Sequence, residues 1–159
     1  MKVLAKNKKA GYDYEILEKY HAGIVLTGQE VKSVKLGRIN LRNGFVALKD
    51  KEVFLIGVDI PAYQPKNAPE DYDCRRSRKL LLHKAEITSL IGKIRQKGLT
   101  MVPLMVYTKK GKIKIEFALA KGKRKIDKRE KIKKREIERE IEKTIKNART
   151  KGMNGFDKN

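Results

Sequence analysis

Tryptophan is absent from the chain, and cysteine occurs once, at Cys74. A single cysteine permits neither an intrachain disulfide nor a cysteine zinc cluster, which suits a reducing compartment. Aromatic residues are few, four Phe and six Tyr in 159 residues, which weakens the case for a stacking platform that reads single-stranded bases. No apolar run approaches the roughly 20 residues that a membrane helix needs. The opening "MKVLAKNKKAGYDYE" breaks its apolar run too early for a signal peptide. A cytoplasmic protein is therefore expected. Acidic residues are scarce as well: 19 Asp+Glu stand against 40 Lys+Arg, a formal net charge of +21. Such an excess costs self-repulsion in the folded state, and a polyanionic partner is the physical reason to keep it. Nucleic acid is the first candidate and an anionic membrane surface the second.

Catalytic signatures are missing too. "GRINLRNG" lacks the spacing of a phosphate-binding glycine loop, and there is no His-Glu-x-x-His pair. His21 and His83 lie far apart with no obvious carboxylate partner. The acidic cluster Glu70, Asp71 and Asp73 reads as a solvated loop that tempers the neighbouring Arg75, Arg76 and Arg78, rather than as a cation site. No nucleophile, general base, metal or cofactor site is identifiable. The expected activity is binding without catalysis.

What is present divides into two regions. Residues 1–120 carry 24 basic and 12 acidic side chains, whereas 121–151 carry 15 and 6, a much denser net charge. A folded domain over 1–121 and a basic C-terminal tail over 122–159 are expected. In the first region, "YDYEILEKY" alternates as a strand, with Tyr12, Tyr14 and Ile16 on one face. Thr27 with Glu30 three residues on makes a capping box, and Gly37 is a natural helix stop. "NGFVALKDKEVFLIGVDI" reads as two strands around an Asp50-Lys51 turn. Pro61, Pro65 and Pro69 mark a long loop. Ile87, Leu90, Ile91 and Ile94 make the apolar face of a short helix that ends before Gly98. "TMVPLMVYT" and "KIKIEFALA" pair across Lys110-Gly111. About six antiparallel strands with two short helices, and no regular alternation of strand and helix, predict a mainly β fold. A small closed β-barrel of the oligonucleotide-binding type fits the count and size, although spacing alone leaves its topology open.

The tail "GKRKIDKREKIKKREIEREIEKTIKNA" has helical propensity but only a narrow stripe of isoleucines. Isolated helices of this kind are marginal in water, so it is expected to be disordered alone and helical when bound. In "RRSRKLLLHK", Arg75, Arg76, Arg78 and Lys79 stand beside an apolar run, and guanidinium forks suit phosphate oxygens. Recognition of folded RNA through shape and backbone fits this charged, aromatic-poor surface.

Four segments then converge on a family. "AGIVLTGQEVKSVKLGRINL" (Ala22–Leu41), "RKLLLHKAEITSLIGKI" (Arg78–Ile94), "GLTMVPLMVY" (Gly98–Tyr107) and "ALAKGKRKIDKRE" (Ala118–Glu130) resemble, in order, the SsrA-binding protein (small protein B) family. The resemblance spans about Asn7 to Asn147. It implies an oligonucleotide-binding-like barrel with flanking helices, acting as a monomer. The barrel would bind the tRNA-like domain of transfer-messenger RNA (tmRNA, or SsrA RNA) and deliver it to stalled ribosomes for trans-translation. Alanine charging and A-site accommodation of that RNA would be supported, linking the protein indirectly to alanyl-tRNA synthetase and elongation factor Tu. The tail would probe the empty mRNA channel.

Residue by residue, the resemblance implies RNA contact at Asn7. Gly28, Glu30, Lys32 and Ser33 match a G-x-E-V-K-S helix start, and Glu30 there reads equally as cap and packing or as RNA contact. Leu81 is implied as support for the RNA face, with Arg78 and Lys79 as direct phosphate contacts. Gly122, Lys123, Arg124, Asp127, Lys128 and Arg129 match the motif that leads into the tail near the decoding centre. Ile137 and Ile145 match apolar tail residues. Two departures stand out: His21 replaces an acidic residue involved in RNA binding, and Ile126 replaces a His or Tyr able to stack on an rRNA base.

Overall fold

The computed structural model describes residues 1–96, 98–123 and 133–146. Among the described residues up to Gly122, seven strands and three α-helices follow one another: β1 (Lys2–Lys6), α1 (Ala10–Asp13), β2 (Tyr14–Ile24), α2 (Gly28–Lys35), β3 (Phe45–Lys49), β4 (Glu52–Ile56), β5 (Arg78–Leu81), α3 (Lys84–Ile94), β6 (Leu99–Lys109) and β7 (Lys112–Gly122). A 3-10 turn, Pro65–Asn67, sits in the proline-marked loop. The antiparallel sheet runs β1-β6-β3-β4-β5-β2-β7, and a β6–β7 pairing joins its ends. Six strands therefore close a ring, with β1 added outside on β6. Closure gives each strand of the ring a neighbour on both sides. The expected closed β-barrel is present, with one strand and one helical turn more than the sequence reading counted. The strand expected over "YDYEILEKY" is β2, and it begins only at Tyr14, because Tyr12 and Asp13 belong to α1.

Local chemistry explains the elements. Thr27 and Glu30 form the predicted capping box: Glu30 N–H donates to Thr27 Oγ1 at 3.3 Å and Thr27 N–H to Glu30 Oε1 at 2.9 Å. At the other end of α2, Gly37 takes φ +78°. Its N–H donates to the Val34 carbonyl, and that of Arg38 to the Ser33 carbonyl, a Schellman stop. Both predicted hairpin turns are there. Asp50 and Lys51 adopt positive φ (51° and 63°), as do Lys110 and Gly111 (52° and 77°). This is the twist that two-residue hairpins require.

The alternation in β7 sends Ile115, Phe117 and Leu119 into the barrel, where they join Val53, Leu55, Val106 and Leu90 of α3. Tyr20 stacks on Phe117 with ring centroids 5.6 Å apart. Ala118 and Ala120, on the opposite face of β7, are buried as well. For Ala120 the cover is outside the barrel, in a second apolar cluster that includes Ala10 of α1 and Val102. Backbone contacts divide the chain into Met1–Gly122 and Lys123–Asn159. In the second unit, residues 133–146 are helical and expose Ile137, Ile141 and Ile145. No helix among the described residues is long and apolar enough to cross a membrane.

Candidate nucleic-acid interface

The two basic segments singled out in the sequence have different fates. Arg78, expected to touch phosphate, is completely buried (0% exposed), as is Glu30 at 1%. Arg78 Nε donates to Glu30 Oε2 at 2.8 Å, and the same guanidinium donates to the Val58 and Cys74 carbonyls at 2.6 and 3.0 Å. Arg76 reaches the other carboxylate oxygen at 2.6 Å. A charge cannot stay in a core unless it is paired and hydrogen-bonded, and this cluster satisfies that condition. It ties the start of α2 to β5, so the G-x-E-V-K-S and R-R-S-R-K segments are two halves of one internal brace. Burial pushes the Glu30 carboxyl up. Hydrogen bonds from Arg76, the Thr27 backbone and Arg78 outweigh it and hold the carboxyl below its usual range. The expectation that Arg78 contacts phosphate is corrected accordingly: its fork is spent inside the protein.

The other expected residues sort by exposure. Ser33 is buried and donates to the Pro61 carbonyl. Gly28 opens α2. Lys32 is exposed, with Nζ 5.5 Å from the Tyr63 ring centroid, within cation–π range. Arg75 is exposed, and its backbone N–H, not its guanidinium, binds Asp73. The acidic loop thus shapes a turn there, and the carboxylate partner of Arg76 and Arg78 is Glu30. Lys79 is half-exposed and pairs with Glu52 at 2.7 Å. Leu81, expected as support, is 55% exposed. It lines an apolar cleft with Ile24, Leu26 and Val31, flanked by Lys35 and Lys112. His21 does have a carboxylate neighbour: Glu116, directly across in β7, lies 3.7 Å from Nε2. Its Nδ1 is 2.8 Å from the Tyr107 hydroxyl.

Asn7 is where surface clefts converge. Its side-chain amide donates to the Pro103 carbonyl at 3.0 Å and the Leu41 carbonyl at 3.4 Å, pinning the N-terminal arm to β6. Three clefts meet at this residue, with volumes of about 690, 380 and 450 Å³. Their cationic lining comes from Lys6, Lys8 and Lys9 of the arm, Lys19 of β2 and Arg42. Among the described residues, Lys6, Lys8, Lys19 and Arg42 have no carboxylate within 4.0 Å. Unpaired cations in a groove raise the local concentration of polyanions and give up little when they bind phosphate. Sequence reasoning passed over these five, although "KNKK" around Asn7 was a visible signal. Lys19 and Arg42 had none, because only the fold brings them to the arm.

Gly122 ends β7 opposite Tyr14, and Lys123 follows it. Arg124, Ile126, Asp127, Lys128 and Arg129 lie outside the described residues. Ile137 and Ile145 are exposed on one face of the 133–146 helix.

Comparisons with known proteins agree with this architecture. The family model described as "SmpB protein" matches residues 4–147. An SsrA-binding protein of Sulfurihydrogenibium sp. is 57% identical over 145 residues, covering 91% of this chain and 95% of the relative. One from Persephonella marina is 51% identical, covering 92% and 95%. A chain of the solved structure "tmRNA-SmpB: a journey to the center of the bacterial ribosome" superposes with a TM-score of 0.64 at 44% identity, over 80% of this chain and 93% of that one. With the match running through both the barrel and the charged extension, this chain belongs to the SmpB protein family.

Proposed function

We propose that the protein binds tmRNA at its tRNA-like domain and delivers it to stalled ribosomes in trans-translation, as an adaptor that makes no bonds itself. The observation that carries this reading is the set of unpaired cations around Asn7, on a barrel that is similar to a solved tmRNA–SmpB chain along most of its length. A groove of lysines and one arginine suits a phosphate backbone held at fixed geometry. Few exposed aromatics accompany them, so folded shape rather than stacked bases carries recognition. The basic segment from Gly122 onward serves the ribosome: Gly122–Arg129 engages the decoding centre, and the isoleucine stripe follows along the mRNA channel. Alanyl-tRNA synthetase and elongation factor Tu are reached only through the RNA. Such an adaptor works in the cytoplasm.

Competition at about 0.15 M salt tests this. Purely electrostatic binding loses roughly 0.7–0.9 log units of affinity per log unit of salt for each phosphate neutralised, and it treats all structured RNAs alike. Cognate tmRNA should stay bound against excess unrelated tRNA. If unrelated tRNA displaces it as readily as tmRNA does, the protein is a general RNA chaperone instead.

A further inference from the structure

The 450 Å³ cleft beside Asn7 has an unusual composition for a phosphate groove. Its floor is apolar, made by Ile16, Leu104 and Met105, and its rim carries Lys6, Lys8 and Lys19. The ladders are irregular beside it: the register shifts between Ile16 and Glu18 in β2 and between Pro103 and Met105 in β6. Into this basic cleft the fold places one carboxylate, Glu116, whose side chain is only 12% exposed. The His21 ring lies beside it, with Nε2 3.7 Å from the carboxylate, beyond hydrogen-bond length. The ring is held from its other side, Nδ1 against the Tyr107 hydroxyl at 2.8 Å. When that hydroxyl donates to Nδ1, the ring hydrogen sits on Nε2 and faces Glu116, steadying the carboxylate without occupying its oxygens.

A buried-side carboxylate repels phosphate, so a groove that takes only phosphate gains nothing from Glu116. The residue makes sense if the ligand also presents hydrogen-bond donors. Guanine is the base with two adjacent donors on one edge, N1–H and the N2 amino group, matching the two oxygens of a carboxylate. Its flat face suits the apolar floor, and the cleft volume is in the range that accommodates a nucleotide. We propose that this cleft takes one unpaired guanosine of the bound RNA, its base edge read by Glu116 and its phosphates held by Lys6, Lys8 and Lys19. The proposal rests on the RNA-binding reading above and adds a base-specific subsite to it. His21 and Tyr107 act as positioning residues for the carboxylate.

The test uses the isotope-labelled full chain titrated with 5′-GMP and 5′-AMP, followed at the amides of Lys19, Met105 and Glu116. A bidentate base contact predicts that GMP binds about tenfold more tightly than AMP. Glu116→Gln should remove that preference, with AMP bound at least as tightly as before because the carboxylate's repulsion of phosphate is gone, and with the melting temperature unchanged. Lys8→Gln, at an exposed position, should weaken both nucleotides alike. Equal affinities in the parent protein, or an unchanged preference in Glu116→Gln, would overturn the subsite. Cognate tmRNA affinity measured on the same samples separates the two readings. Intact tmRNA binding without a GMP preference removes only the subsite, whereas tmRNA bound no better than tRNA removes the functional reading itself.

Discussion

Removing the Glu30 carboxylate should destabilise the barrel before it affects anything else. In Glu30→Ala, the Arg78 guanidinium keeps its bonds to the Val58 and Cys74 carbonyls but loses its counter-charge at 0% exposure. Breaking a buried pair from one side costs about 3–5 kcal/mol, and loss of the capping-box bond to Thr27 N–H adds up to about 1. For a domain of about 120 residues, 4 kcal/mol corresponds to a melting shift of roughly 15 °C. Urea unfolding followed by circular dichroism reads this directly. Glu30→Leu combined with Arg78→Met should be less destabilised than either single variant, because no orphaned charge remains. A loss below about 1 kcal/mol, with tmRNA affinity nonetheless reduced, would refute the reasoning and return Glu30 to the RNA surface. The pH dependence has a fixed sign. The folded carboxyl lies below its ordinary value, so its contribution is full above about pH 5 and fades as pH falls through the folded value. In Glu30→Gln that acid-side loss should shrink.

Three further outcomes are expected. Lys51, at φ +63° in the β3–β4 turn, pays for a left-handed backbone that glycine adopts freely, so Lys51→Gly should raise stability by about 0.5–1 kcal/mol in urea titration; no change or a loss would mean that the turn is unstrained. The Asp59 carboxylate near Cys74, together with burial, raises the thiol above its ordinary range; iodoacetamide should alkylate it more slowly at pH 8 than a free thiol, and Asp59→Asn should speed the reaction. Alanine at Asp127, Lys128 and Arg129 together should leave tmRNA affinity intact and abolish peptide tagging, and lost affinity with normal tagging would reverse the division of labour between barrel and tail.

Local signals carried much of the fold. The capping box at Thr27, the glycine stop at Gly37, the two hairpin turns and the alternation of Ile113 to Leu119 each reside in a few adjacent residues, and each forms as its chemistry dictates. β1 was not legible, because five residues with one pairing partner, β6, carry too little pattern of their own. Charge misled at Arg78. An arginine in a basic run reads as solvent-exposed, and only its distance to Glu30, 48 residues away in sequence, reveals a core residue. The interface was half legible for the same reason. Lys6, Lys8 and Lys9 crowd Asn7 in sequence, whereas Lys19, Arg42, Leu104 and Glu116 reach it through sheet register and closure. His21 and Glu116 are 95 residues apart and meet because β2 and β7 place them directly opposite.

The central claim, that this chain brings tmRNA to stalled ribosomes, is tested most directly in a reconstituted system of ribosomes halted on truncated mRNA, supplied with alanine-charged cognate tmRNA. With the full chain present, the nascent peptide should receive the tmRNA-encoded tag in proportion to chain added, up to one per tmRNA. Tagging to the same extent without the chain, or none with it despite bound tmRNA, would contradict the account.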